Sequence, residues 1–188
     1  MSDFNFSLFG AIFGFLLVYK ALSYIEKRNF DRYIDGVVIA FFGVLVIGFF
    51  GAFLGGQVYG RETNFGIEIL YNMHTRSPIP FQVPIFPLPI VYALMSLFIG
   101  VGLYMLSLFV HIRAFVGYIG ILLFSAMILV GEFFSGKQDI FSTHSFINFP
   151  QFFAAILALW AGYNLFKIAR YPKDTLSDTS QNIVYTDV

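Results

Sequence analysis

The apolar positions of this chain fall into runs of about 20 residues separated by shorter polar stretches, and a run of that length is what a helix needs to cross a bilayer core. The first run covers residues 6–25, with Lys20 late enough to snorkel. The second, 36–59, contains no charged residue and is the clearest of the set. Three more follow at 88–110, 115–134 and 150–168. The pattern therefore predicts an all-α, polytopic membrane domain over residues 1–170 with about five transmembrane helices. Residues 171–188, "YPKDTLSDTSQNIVYTDV", read as a polar tail without a core of its own.

Composition agrees with this pattern. Of 188 residues, 58% are apolar and only 11 basic and 11 acidic residues are present, too few charges to cover a soluble globule. The chain contains no cysteine, which excludes disulfides, thiolate metal sites and a cysteine nucleophile. With zero net charge and no basic block, nucleic acid is not an expected partner. The N-terminal "MSDFNFSLFG" lacks a basic region, and no small-residue cleavage site follows the first run, so that run is expected to be a retained helix.

Loop charges predict the orientation. Lys27, Arg28, Arg32, Arg113, Lys167, Arg170 and Lys173 fall on one side of the predicted spans, and Arg61, Arg76 and Lys137 on the other. This excess predicts an outside N-terminus and a cytoplasmic C-terminus. The longest loop, residues 60–87, then lies outside. Its "SPIPFQVPIFPLP" stretch is rich in prolines, which remove backbone donors and favour extended chain. Such a stretch is either a linker pinned to headgroups by Phe81 and Phe86 or a cap over a lipid-binding cavity.

Few residues carry candidate chemistry. Glu132, in "LVGEFFSGKQD", is a carboxylate near the end of a span, costly there unless paired or wetted. It is either an interfacial residue reaching water or the partner of Arg61 or Lys137 beside a polar lipid head. Gly43, Gly48, Gly51, Gly55, Gly56 and Gly60 punctuate the second span, and the pairs Gly51–Gly55 and Gly56–Gly60 have GxxxG spacing. Close helix packing is the leading explanation of these glycines. Gln57, Tyr59 and Arg61 follow, and the planar fork of an arginine suits a phosphate as well as it suits an interfacial anchor. His74, His111 and His144 are scattered, with no pairing at metal-ligand spacing, so neither a metal nor another cofactor is expected. Asn148 and Pro150 fit the start of the last helix, which leaves Gln151 without a structural role.

Taken in order, these pieces resemble the prolipoprotein diacylglyceryl transferases, bacterial inner-membrane enzymes that move diacylglycerol from phosphatidylglycerol to a lipoprotein cysteine. "GAFLGGQVYGR" is similar to the family's G-N-F-I-N-G-E-L-W-G-R, with Gly51, Phe53, Gly56, Gly60 and Arg61 coinciding. Tyr92 in "PLPIVYALMSLFIG" matches the tyrosine of P-S-Q-L-Y-E. Glu132, Phe133 and Phe134 match the E-F-F of a third segment, and Gln151 in "INFPQFF" the glutamine of a fourth.

The resemblance implies catalytic roles for Glu132 and Arg61 and substrate contacts from Gln57, Tyr59, Tyr92, Asn148 and Gln151. It also implies phosphatidylglycerol and a lipoprotein precursor as partners, and the bacterial inner membrane as location. The chain departs from the family pattern at several points: Gln57 replaces a glutamate, Ala93 another, and Ile128 and Ser135 replace arginines. Family members have seven spans and a His-Gly-Gly motif, whereas no histidine here precedes glycine. A glutamine cannot act as a base, so the resemblance equally fits a pseudoenzyme. The alternative is a non-catalytic membrane subunit or scaffold that packs against a membrane-protein partner through its glycine faces. A small transporter fits less well, because no span is broken by a central proline.

Overall fold

The computed structural model describes residues 33–56, 58–64, 66–69, 84–136 and 149–170, together with positions 14, 15, 18 and 21. Over these the chain is helical: α1 is Ile34–Leu54, α2 Leu88–Phe109, α3 Phe115–Gly131 and α4 Phe149–Arg170. A single 3-10 turn, Glu132–Phe134, extends α3. Among the described residues, these four helices are long and apolar enough to cross a membrane, as a multi-pass membrane protein requires. Apart from positions 14, 15, 18 and 21, which are helical, the predicted span at 6–25 lies outside the described residues, as does the tail at 171–188.

The helices run up and down, and α3 is the central one, packing against α1, α2 and α4. The interior is a single apolar cluster in which Phe42 of α1, Leu103 of α2, Met127 of α3 and Ala161 of α4 are almost completely enclosed. Because lipid is as apolar as these side chains, close packing must hold the helices together in place of a hydrophobic drive. The packing turns on glycines of α2 and α3. A Cβ on Gly120 would overlap Val38 and Leu103, and one on Gly100 would press on Phe42 at 3.1 Å. Gly117 sits equally tight against Ile34 and Asp35. The α1 glycines behave differently from the sequence expectation: nothing lies within 4 Å of a Cβ built on Gly43, Gly48 or Gly51. They lie off the buried stripe Ile34, Val38, Phe42, Leu45 and Phe49, which packs into the core.

One polar contact fixes how α1 and α3 begin. Helix N-termini leave N–H groups without intrahelical acceptors. The carboxylate of Asp35, in the first turn of α1, accepts from Ala114 N at 2.9 Å and from Gly117 N. Asp35 thus caps α3 across the tertiary structure. Ala114 takes up a left-handed conformation, φ 63°, to turn the chain into that helix.

The second helix is shorter than its apolar run. The run continues to residue 59, but α1 ends at Leu54: Gly55 N bonds to Gly51 O at 2.9 Å and Gly56 turns left-handed with φ 61°. A left-handed residue after the last turn ends a helix, and glycine takes that conformation without steric cost. Gly56 and Gly60 therefore do not form a GxxxG helix face. The later helices begin and end within two residues of their predicted limits, except that α3 proper stops at Gly131.

Candidate functional site at the end of α3

From Tyr59 the chain runs extended and is held on both sides. Gly60 N donates to Phe86 O at 3.1 Å and Phe86 N to Arg61 O at 3.0 Å. On the other side Arg61 N donates to Phe134 O at 2.8 Å and Gly136 N to Tyr59 O at 3.0 Å. Tyr59–Arg61 is thus the middle one of three short antiparallel segments, between 84–87 and 134–136. The outer two also meet directly, where the Phe86 and Phe134 rings stack at 5.2 Å. A side chain at Gly60 would collide with the Phe86 backbone, and one at Gly136 with the Gly60 backbone and the Tyr59 ring. Of the proline-rich stretch, residues 84–87 are extended, as proline content predicts, and Leu88 and Pro89 already form the first turn of α2.

This crossing sets the position of Arg61. Its Nε donates to the Ser135 carbonyl at 3.1 Å, while the side chain as a whole stays exposed. An arginine bonded through Nε keeps two Nη groups for a further acceptor, the fork with which arginine meets an oxyanion.

Glu132 follows directly on the last residue of α3 and is half-buried. The ring of Tyr92, only 3% exposed, packs on Phe49 at 4.9 Å and against Gly131, where even a methyl group would overlap it. Among the described residues the Tyr92 hydroxyl has no hydrogen-bond partner. Buried polar groups without partners are uncommon, because each forfeits its hydration without replacement. Gln151, at 6% exposure, donates from Nε2 to Leu129 O at 3.5 Å, a long bond that ties the start of α4 to the end of α3.

The five described residues singled out from the sequence thus converge on one segment, residues 129–136. Tyr59 and Arg61 meet it through backbone pairing, Tyr92 through ring packing and Gln151 through its amide, while Glu132 belongs to it. Gln57 and Asn148 lie outside the described residues, as do Lys137, His74 and His144. His111 is described, exposed beyond the opposite end of α2. Among the described residues no three His, Asp or Glu side chains are grouped closely enough to hold a metal ion.

Sequence reasoning named Phe86 only as a headgroup anchor and Ser135 only as a replaced arginine, and it did not find Gly131 or Gly136, which together with them build this junction. Their contributions are a ring, two absent side chains and a carbonyl, none of which carries a chemical signature in sequence. No family model, no curated protein and no solved structure matches this chain.

Proposed function

We propose that this chain is a membrane protein that binds the headgroup of a phospholipid at the end of α3. In this reading the Nη groups of Arg61 hold the phosphate, and Glu132 positions the polar head. The observation that supports the reading is the convergence of an exposed arginine, a half-buried carboxylate and two buried polar side chains on residues 129–136. The resemblance supplies the lipid, phosphatidylglycerol, and a reaction, diacylglyceryl transfer to a lipoprotein cysteine. That transfer needs a cation on the departing phosphate and a base for the thiol. Arg61 supplies the first. For the second, Glu132 is the half-buried carboxylate of the described junction, since Gln57 cannot take a proton.

Binding and transfer are tested separately. The purified protein in nanodiscs of defined phosphatidylglycerol content should retain lipid measurable by native mass spectrometry. Charge-assisted hydrogen bonds contribute about 1.5–3 kcal/mol, so Arg61→Ala should weaken phosphatidylglycerol retention by about 10- to 100-fold. Retention unchanged in Arg61→Ala would overturn the binding reading. Transfer is read with a cysteine-bearing lipoprotein-precursor peptide and phosphatidylglycerol. A thioether-linked product formed by the parent and lost in Glu132→Gln supports the enzyme, and retention without product leaves a lipid-binding pseudoenzyme.

A further inference from the structure

Charge is divided unequally between the two ends of the bundle. Among the described residues, Arg113, Lys167 and Arg170 are offset by Asp35 alone at one end, while at the other Arg61 is outnumbered by Glu62, Glu68 and Glu132. The Asp35 carboxylate is already engaged by Ala114 N and Gly117 N. The basic end thus carries a positive excess, and lysines and arginines just outside a span attract anionic lipid.

Two of these cations stand beyond the rest of the bundle. The Tyr118 and Trp160 rings meet edge to face at 5.4 Å, which sets the two residues level on the antiparallel helices α3 and α4. α3 begins at Phe115, three residues before Tyr118, whereas α4 continues ten residues past Trp160 to Arg170. α4 therefore overshoots the start of α3 by seven residues, about 10 Å at the helical rise. Helical side chains lean toward the N-terminus, here back toward the membrane, which brings Lys167 and Arg170 to the headgroup layer. The Arg170 guanidinium lies 6.0 Å from the centroid of the Phe166 ring, beside the helix.

Below these cations runs an apolar track. Ile156, Trp160, Tyr163 and Lys167 follow one another at i, i+4, i+7 and i+11, so they share one stripe of α4, and all four are exposed. From Lys167 to Ile156 this stripe is about 16 Å long, close to half of a hydrocarbon core of about 30 Å. We propose that Lys167 and Arg170 hold the phosphate of an anionic phospholipid whose acyl chain lies along Ile156, Trp160 and Tyr163, in the leaflet opposite that of Arg61. Charge complementarity selects the headgroup. A zwitterionic lipid brings its own ammonium group to a place that already has a positive excess, whereas an anionic lipid offsets that excess.

Trp160 is the chain's single tryptophan, so its fluorescence reads this stripe directly. Lipid on so exposed a face exchanges with the bilayer, and the measurement is made in the bilayer. The full chain is reconstituted in phosphatidylcholine, and either phosphatidylcholine or phosphatidylglycerol with brominated acyl chains is added to quench Trp160. The parent should prefer phosphatidylglycerol by about fivefold or more, and the double variant Lys167→Gln, Arg170→Gln should lower that ratio to about one. The charge-keeping double variant Lys167→Arg, Arg170→Lys should keep the preference, and so should Arg61→Ala, which lies at the other end. Equal quenching by the two lipids in the parent would overturn the proposal and leave the basic end to an acidic protein segment. A preference that survives in Lys167→Gln, Arg170→Gln, or that disappears in the charge-keeping variant, would overturn the roles given to these two cations. A preference lost in Arg61→Ala would overturn the assignment to this end of the bundle.

Discussion

Tyr92 and Gly131 show how much rests on single atoms in this bundle. The tyrosine ring occupies the space that a side chain at 131 would need. Gly131→Ala should therefore cost about 1–3 kcal/mol, the usual penalty for overfilling a packed site. The loss should shrink in the double variant Gly131→Ala, Tyr92→Ala, because the second change removes the ring that the methyl meets. A double-mutant cycle on thermal unfolding in detergent would show the coupling as non-additivity. The Tyr92 hydroxyl leads to a different expectation. It is buried without a partner among the described residues, so Tyr92→Phe removes a group that pays its desolvation unrewarded. Stability should stay level or rise by up to about 1 kcal/mol in the same assay. If the hydroxyl meets a lipid head in the bound state, phosphatidylglycerol retention should fall in that variant while the melting temperature does not.

At the scale of elements, the start of α3 depends on a residue from another helix. Asp35 accepts two N–H groups there, and replacing an aspartate cap by alanine costs about 0.5–2 kcal/mol. Asp35→Ala should lower stability by that amount, whereas Asp35→Asn, which keeps a side-chain oxygen in place, should recover part of it. Hydrogen exchange localised to residues 114–118 would separate fraying of this terminus from a general loss of stability. The end of α1 is governed by backbone geometry instead. Gly56 has a positive φ, so Gly56→Val should destabilise the turn that releases Tyr59–Arg61 from the helix. Because that turn delivers Arg61 to the Ser135 carbonyl, lipid retention should fall together with stability in Gly56→Val.

Across the whole molecule, the up-and-down order gathers Asp35, Arg113, Lys167 and Arg170 at one end of the bundle and Arg61 and Glu132 at the other. The order of spans alone assigns the described basic residues to these two sides, because alternate ends of consecutive spans must share a side. The proposed headgroup site thus occupies one end, and the interhelical cap of α3 the other. Disturbing Asp35 should therefore leave phosphatidylglycerol retention per folded molecule unchanged, since effects at well-separated sites add independently. Measuring retention against the fraction of monodisperse protein checks this.

Length and apolar content were enough to place all four described helices, because a bilayer demands about 20 apolar residues from any helix that crosses it. The sequence also picked out Tyr59, Arg61, Glu132 and Gln151, since polar and charged groups at the ends of apolar runs are rare enough to be conspicuous, whereas Tyr92 was named only through the resemblance. Their meeting was not legible there. It rests on Gly60 and Gly136 letting three backbones cross, on Gly131 admitting the Tyr92 ring, and on the Ser135 carbonyl meeting Arg61. Which glycines pack was decided by tertiary structure too: in sequence those of α1 have the more regular spacing, yet Gly117 and Gly120 of α3 and Gly100 of α2 make the tight helix contacts. Spacing along one helix marks a smooth face, but only the placement of the neighbouring helices determines which face is covered.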